Sequence, residues 1–151
     1  MMQRFFILYF LLPIVTFFLM GCQPKLTYSY LMTHPAALEK QVMYCQRITD
    51  PDNTDCRTAL RAMTDFMTLA REQQFDPERF GKKIMQAEEA CVETRENMLQ
   101  ARQHYETVQN KQNIADVDKL KEYYHVAQRA YQIQREQVHI LLAVVSLSSP
   151  E

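Results

Sequence analysis

Apolar residues along this chain recur at helical spacing, and turn residues cut the pattern into four blocks. Thr33-His34-Pro35 reads as a helix start. Thr33 or His34 takes the cap, and Pro35 suits the first turn, where its missing N–H costs nothing. That helix is expected to run to about Gln46, with Leu38, Val42 and Cys45 on one side. Asp50 to Thr54 breaks it, and Asn53 or Asp52 caps a second helix from about Thr54 to Gln73. Its stripe is Leu60, Met63, Phe66, Met67 and Ala70, read as core packing rather than a ligand groove.

Phe75-Asp76-Pro77-Glu78 is the next break. Asp76 caps, Pro77 takes the first helical position, and Glu78 complements the positive helix end. A long helix should follow to about Gln109. Ile84, Ala87, Cys91, Thr94, Met98, Ala101, Tyr105 and Val108 alternate at three and four residues, the spacing of a coiled-coil seam. Asn110 to Asn113 is a short polar turn, with Asn113 and Asp116 in a capping arrangement. The last helix is expected to reach about Leu147, with Leu120, Tyr124, Ala127, Tyr131, Gln134, Val138, Leu141 and Val145 as its seam. Two such stripes joined by so short a turn predict an antiparallel helical hairpin. Gln134 is the one polar member of the second stripe and fixes register. Ile140 to Val145 is apolar on every face. Six residues cannot span a bilayer, so the short N-terminal helices cover this segment or another protein does.

The expected fold is thus all-α: a short N-terminal helical pair over 33–74, then a hairpin over 77–147. Scarce glycine and the absence of tryptophan agree with it.

Before the first helix stands an apolar run from Phe5 that closes on Leu19-Met20-Gly21-Cys22. Leu three residues before a Cys, with Gly between, is the pattern of a bacterial lipobox: a small residue precedes the cut and the Cys thiol carries the lipid. Residues 1–21 are read as a removed signal, Cys22 as the lipidated first residue, and 22–32 as a tether. A plain transmembrane anchor or an ordinary signal peptide are the alternatives on the same residues. Cleavage leaves 130 of the 151 residues, one modest domain, and removes Arg4 alone of the charged residues. Net charge moves from −1 to −2, with 16 basic and 18 acidic residues. That balance argues against a nucleic-acid partner or a polybasic membrane clamp.

Export places the remaining cysteines in an oxidising periplasm. Cys45 and Cys56 flank the turn-rich Asp50–Asn53 segment and are the expected disulfide, with Cys91 left over as a seam residue. Gln23 follows the lipidated Cys. Asp there favours inner-membrane retention in enterobacteria, so Gln23 leans toward the outer membrane.

Catalytic signatures are missing. There is no glycine-rich phosphate loop, Gly-x-Ser-x-Gly elbow or His-Glu-x-x-His pair. Glu122-x-x-His125 and Glu136-x-x-His139 each match the ligand unit that di-iron bundles take from each of two helices, with a Glu from each of two more. They share one helix about 21 Å apart, which denies them a common cluster. No catalytic residue, metal or cofactor is therefore assigned, and nothing in the sequence assigns an oligomeric state.

Tyr30, His34-Pro35, Leu38-Glu39, Cys45, Asp52-Asn53, Cys56 and Ala59, together with the lipobox, resemble the small entry-exclusion lipoproteins of the EexN type. These accompany conjugative type IV secretion systems. The resemblance covers about a quarter of the mature chain (Tyr30 to Ala59), and the hairpin lies outside it. It implies a protein lipid-anchored in the periplasm that excludes redundant DNA transfer by binding protein components of a conjugation channel. It carries over no catalytic residue. A structural accessory lipoprotein of a secretion assembly is the alternative, and a small-ligand or metal-binding helical bundle the second alternative.

Overall fold

The computed structural model describes residues 26–48, 53–109 and 114–148. They form five helices and no strand: α1 Tyr28–Thr33, α2 Pro35–Cys45, α3 Thr54–Phe75, α4 Pro77–Gln109 and α5 Ile114–Ser148. No described helix is long and apolar enough to cross a membrane.

The breaks act where the turn chemistry put them. Asn53 caps α3, its side-chain oxygen accepting the Cys56 amide at 3.0 Å. Asp76 accepts the Arg79 amide at 2.9 Å, which satisfies one free donor at the start of α4. Pro35 and Pro77 stand at the first position of α2 and α4. The capping role expected of Asn113 lies outside the described residues. His34 sits at the start of α2 but makes no side-chain capping bond there. Its ring instead stacks on Tyr30 at 4.1 Å between centroids, with Nδ1 2.9 Å from the Tyr30 carbonyl oxygen.

One segment departs from expectation. Residues 28–32, read as tether, belong to α1, capped by Thr27, whose hydroxyl accepts the Tyr30 amide at 3.2 Å. Leu31 and Met32 are fully buried against Leu38, Val42, Ala59 and Ala62. Six residues make less than two helical turns, too short for isolated stability. The burial of two large side chains, about 1.5–3 kcal/mol each, holds them in place. Ala59 and Ala62 on α3 have almost no side-chain bulk, which lets α1 approach α3 closely.

A second cluster joins three helices. Phe80 and Ala87 of α4 are buried with Leu141 and Val144 of α5, and Phe66, Leu69 and Ala70 of α3 pack on them. Phe66 and Leu69 also border the first cluster, so the two are continuous. Ile140 packs on the first cluster and Leu141 and Val144 lie in the second, so the short helices cover most of the apolar end of α5. Leu142 and Leu147 remain exposed.

α4 and α5 make the most extensive helix–helix contact in the molecule. Each expected seam residue is half-buried or buried. Tyr105 stacks in parallel planes on Tyr124 at 6.3 Å between centroids, while Ile84 and Ala87 pack in the cluster with Val138, Leu141 and Val145.

Candidate functional site

Leu19, Met20, Gly21 and Cys22 lie outside the described residues. The other expected covalent feature is present: Cys45 Sγ and Cys56 Sγ are bonded at 2.01 Å, with Cα atoms 5.5 Å apart. The bond ties the last residue of α2 to the first turn of α3. Cys56 is buried and Cys45 half-buried, so the bridge lies at the edge of the first cluster. Cys91 is a free, half-buried thiol in the α4 seam.

The motif residues of the N-terminal unit also fall together. Tyr30 and His34 stack across the α1–α2 corner, Leu38 is buried, and Ala59 forms the α3 surface on which α1 rests. A polar clamp closes the same unit. Tyr28 Oη donates to Asp65 Oδ2 at 2.7 Å, and the Arg61 guanidinium lies 5.3 Å from the Tyr28 ring centroid. Burial, and then the hydrogen bond and charge of Asp65, push the Tyr28 phenol up to about 12, with Arg61 opposing them.

The Met-rich stripe of α3 divides between two roles. Met63 and Phe66 pack in the core, whereas Leu60 and Met67 face outward. Met67, Ala70, Arg71, Gln74 and Pro77 line an open groove of about 750 Å³ at the α3–α4 corner. Phe75, 80% exposed, stands at its rim. A shallower groove of about 510 Å³ runs along the outer face of α2, past Ala36, Lys40, Met43 and Tyr44.

Glu122, His125, Glu136 and His139 are all exposed on α5. Among the described residues, no three His, Cys, Asp or Glu side chains gather in a way that could hold a metal ion. None of the described buried side chains is polar or charged. A site that performs proton transfer relies on titratable groups shifted by burial and neighbours; here the clearest such group, Tyr28, serves packing. What the described body offers instead is apolar surface: Met43, Tyr44, Met67 and Phe75 on the short helices, and Met85, Val92, Leu99, Tyr123, Val126 and Ile133 on the long ones.

Sequence reasoning missed Phe80, which lies one seam step before Ile84, and it missed Leu31 and Met32. The signal for Phe80 was its four-residue spacing from Ile84. For α1 it was Thr27 three residues ahead of Tyr30.

No family model, curated protein or solved structure matches this chain.

Proposed function

We propose that the chain is a lipid-anchored periplasmic protein, fixed through Cys22, that acts by protein contact in entry exclusion or regulation of a conjugative type IV secretion system. The outer membrane is the favoured location. One observation carries the reading: the Cys45–Cys56 disulfide closes the same small unit in which Tyr30, His34, Leu38 and Ala59 pack together. A disulfide persists in an oxidising compartment, which agrees with a lipobox at the start of the chain. The residues that carry the resemblance hold one another in place, as expected of a module that presents a surface rather than a reactive group.

In this reading α4 and α5 form an antiparallel hairpin on that module. Support comes from the stacking of Tyr105 on Tyr124 and from the cluster that Ile84 and Ala87 share with Leu141 and Val145. Moving back along α4 moves the contact forward along α5.

The test is mating. Recipients that make the protein should accept the cognate element less often than recipients lacking the gene, and Cys22→Ser should abolish the difference while releasing the protein from membranes. Equal transfer into both recipients would reject exclusion. Mass spectrometry showing an unacylated chain that starts at Met1 would reject the anchor.

The size of α4 and α5, which lie outside the resemblance, favours a second reading: an accessory lipoprotein that braces an envelope secretion assembly. Co-purification with channel proteins, without a mating effect, would distinguish it.

A further inference from the structure

α3 turns one side to the core and the other to water. Ala59, Ala62, Met63, Phe66 and Leu69 pack inward. α4 and α5 meet α3 on that inward side, at Phe66, Leu69 and Ala70. On the other side Leu60, Met67 and Phe75 are each at least half exposed, and Arg57, Arg61 and Arg71 stand exposed among them. At about 3.6 residues per turn the six fall within an arc of about 120°, and the stripe runs about 27 Å from Arg57 to Phe75. Between them Thr64 and Thr68 donate their hydroxyls to the carbonyls of Leu60 and Thr64 at 3.0 and 2.9 Å. Those donors stay satisfied when water is removed from the face.

The stripe has charge of one sign only. The acidic residues of α3 are Asp55, Asp65 and Glu72, and none lies within the arc. Asp65 and Glu72 stand near its edge and are engaged there. Asp65 accepts the Tyr28 hydroxyl and lies 3.7 Å from Arg61, and Glu72 pairs with Lys83 of α4. Asp55 falls on the opposite side of the helix. Arg57 and Arg71 belong to no ion pair among the described residues. The whole chain is nearly neutral, at −1, yet this face carries three positive charges and no negative one. Arginine among exposed apolar side chains suits the boundary between lipid headgroups and acyl chains. The stems lie along apolar surface while each guanidinium reaches a phosphate.

The path of the chain brings a membrane to this face. Tyr28 is bound to Asp65, midway along α3, and the Arg61 guanidinium lies over its ring. Cys22 precedes Tyr28 by six residues, which span at most about 21 Å when fully extended. A lipid on Cys22 therefore keeps the middle of the stripe within that distance of its point of insertion. Three arginines are too few to hold a free protein at a bilayer. On so short a tether the bilayer is present at high effective concentration, and the same three suffice to set an orientation. This permanent proximity favours a lipid surface over a protein as the occupant.

We propose that the Arg57–Phe75 face of α3 is a membrane-contact surface, which lies on anionic phospholipid headgroups and fixes how the protein stands on the bilayer. The proposal deepens the lipid-anchored reading and rests on it for the tether.

The chain has no tryptophan, so a single introduced one reports its own surroundings. Met67→Trp is compared with Tyr123→Trp, an exposed position on α5, in the anchored, disulfide-bonded protein. The vesicles contain phosphatidylethanolamine and phosphatidylglycerol with brominated acyl chains. Quenching should be several-fold stronger at Met67→Trp than at Tyr123→Trp, and its emission should shift to the blue. Adding R57E/R71E, which breaks no ion pair, should remove the excess quenching with helix content by circular dichroism unchanged. High salt should weaken it, since the contact is with surface charge. Equal quenching at both positions, none at Met67→Trp, or full quenching in the R57E/R71E protein would overturn the proposal. Shielding of Met67→Trp that depends on protein concentration and not on vesicles would also overturn it, by assigning the face to a second copy. Coupling Cys22 of a Cys91→Ser chain to a maleimide phospholipid supplies the tether whether or not the cell acylates it. Loss of the anchor reading and loss of the membrane face are therefore separate results.

Discussion

The two ends of the long helices are built differently. Where α1, α2 and α3 rest on them, Phe80, Ala87, Leu141 and Val144 are buried, and the core extends without a break to Leu31, Met32 and Leu38. Along α4 beyond Ala87 and along α5 before Val138 the described side chains are more exposed. Among the described side chains between residues 88 and 137, Ala101 alone is buried. The seam sequence is equally regular at both ends, so the difference is one of layers. Two helices bury one stripe each and leave its flanks wet; a third layer covers the flanks. Regular spacing sets where helices meet, and the number of neighbours sets how dry the contact becomes.

The sharpest way to break this contrast is to empty the junction. Phe80→Ala removes the side chain that α3, α4 and α5 share, and should cost about 4 kcal/mol in urea unfolding. The same truncation at half-buried Met98 should cost much less. Equal losses would mean that the two ends are packed alike.

Removing the bridge comes next. Cys45→Ser/Cys56→Ser should destabilise by about 3 kcal/mol, from the freedom regained by a short loop in the unfolded chain. The loss should appear as easier opening of α2 and α3 in hydrogen exchange, with the α4 and α5 amides near Tyr105 unchanged. An equal effect at both ends would show that the long helices depend on the bridge.

The Tyr28 clamp gives a smaller effect with a defined pH window. Its phenol is held near 12 in the folded chain against an ordinary value near 10.0. A raised folded value means a contribution that is complete below pH 10 and lost as pH climbs through 12. Tyr28→Phe should cost about 1 kcal/mol at neutral pH and flatten stability over that alkaline window. Parallel alkaline curves for the two proteins would count against the clamp.

The smallest effect belongs to the far end. A double-mutant cycle on Tyr105 and Tyr124 should give a coupling of about 0.5–1 kcal/mol, the usual worth of a stacked aromatic pair. No coupling would separate the helices there.

Much of this arrangement was legible in the residues. Asn53, Asp76 and the two prolines marked helix starts because capping is local chemistry, settled within three or four positions. The long seams were legible because eight positions in alternating threes and fours leave little ambiguity. Cys45 and Cys56 were legible as a pair because a turn stands between them. α1 was not, since six residues carry no period and its stability comes from Ala59 and Ala62, distant in sequence. Tyr123, Val126, Ala130 and Ile133 form a second apolar stripe on α5, written in the chain as clearly as the first. A reading that assigns each helix one seam hides it, and near Ile140 it merges into a segment that is apolar all round. The proposed lipidation at Cys22 rests on Leu19 to Cys22 alone, because a processing signal is recognised as a linear string.

The place where α1 docks has a mechanical consequence. Leu31 belongs to the cluster on which Leu26 and Ile140 pack, and Ile140 lies 26 residues along α5 from Ile114, or about 40 Å at the rise of an α-helix. Whatever grips the amino terminus grips one end of a stiff rod. Among the described residues the opposite end is the more exposed one, and a small tilt at the foot carries it through a wide arc.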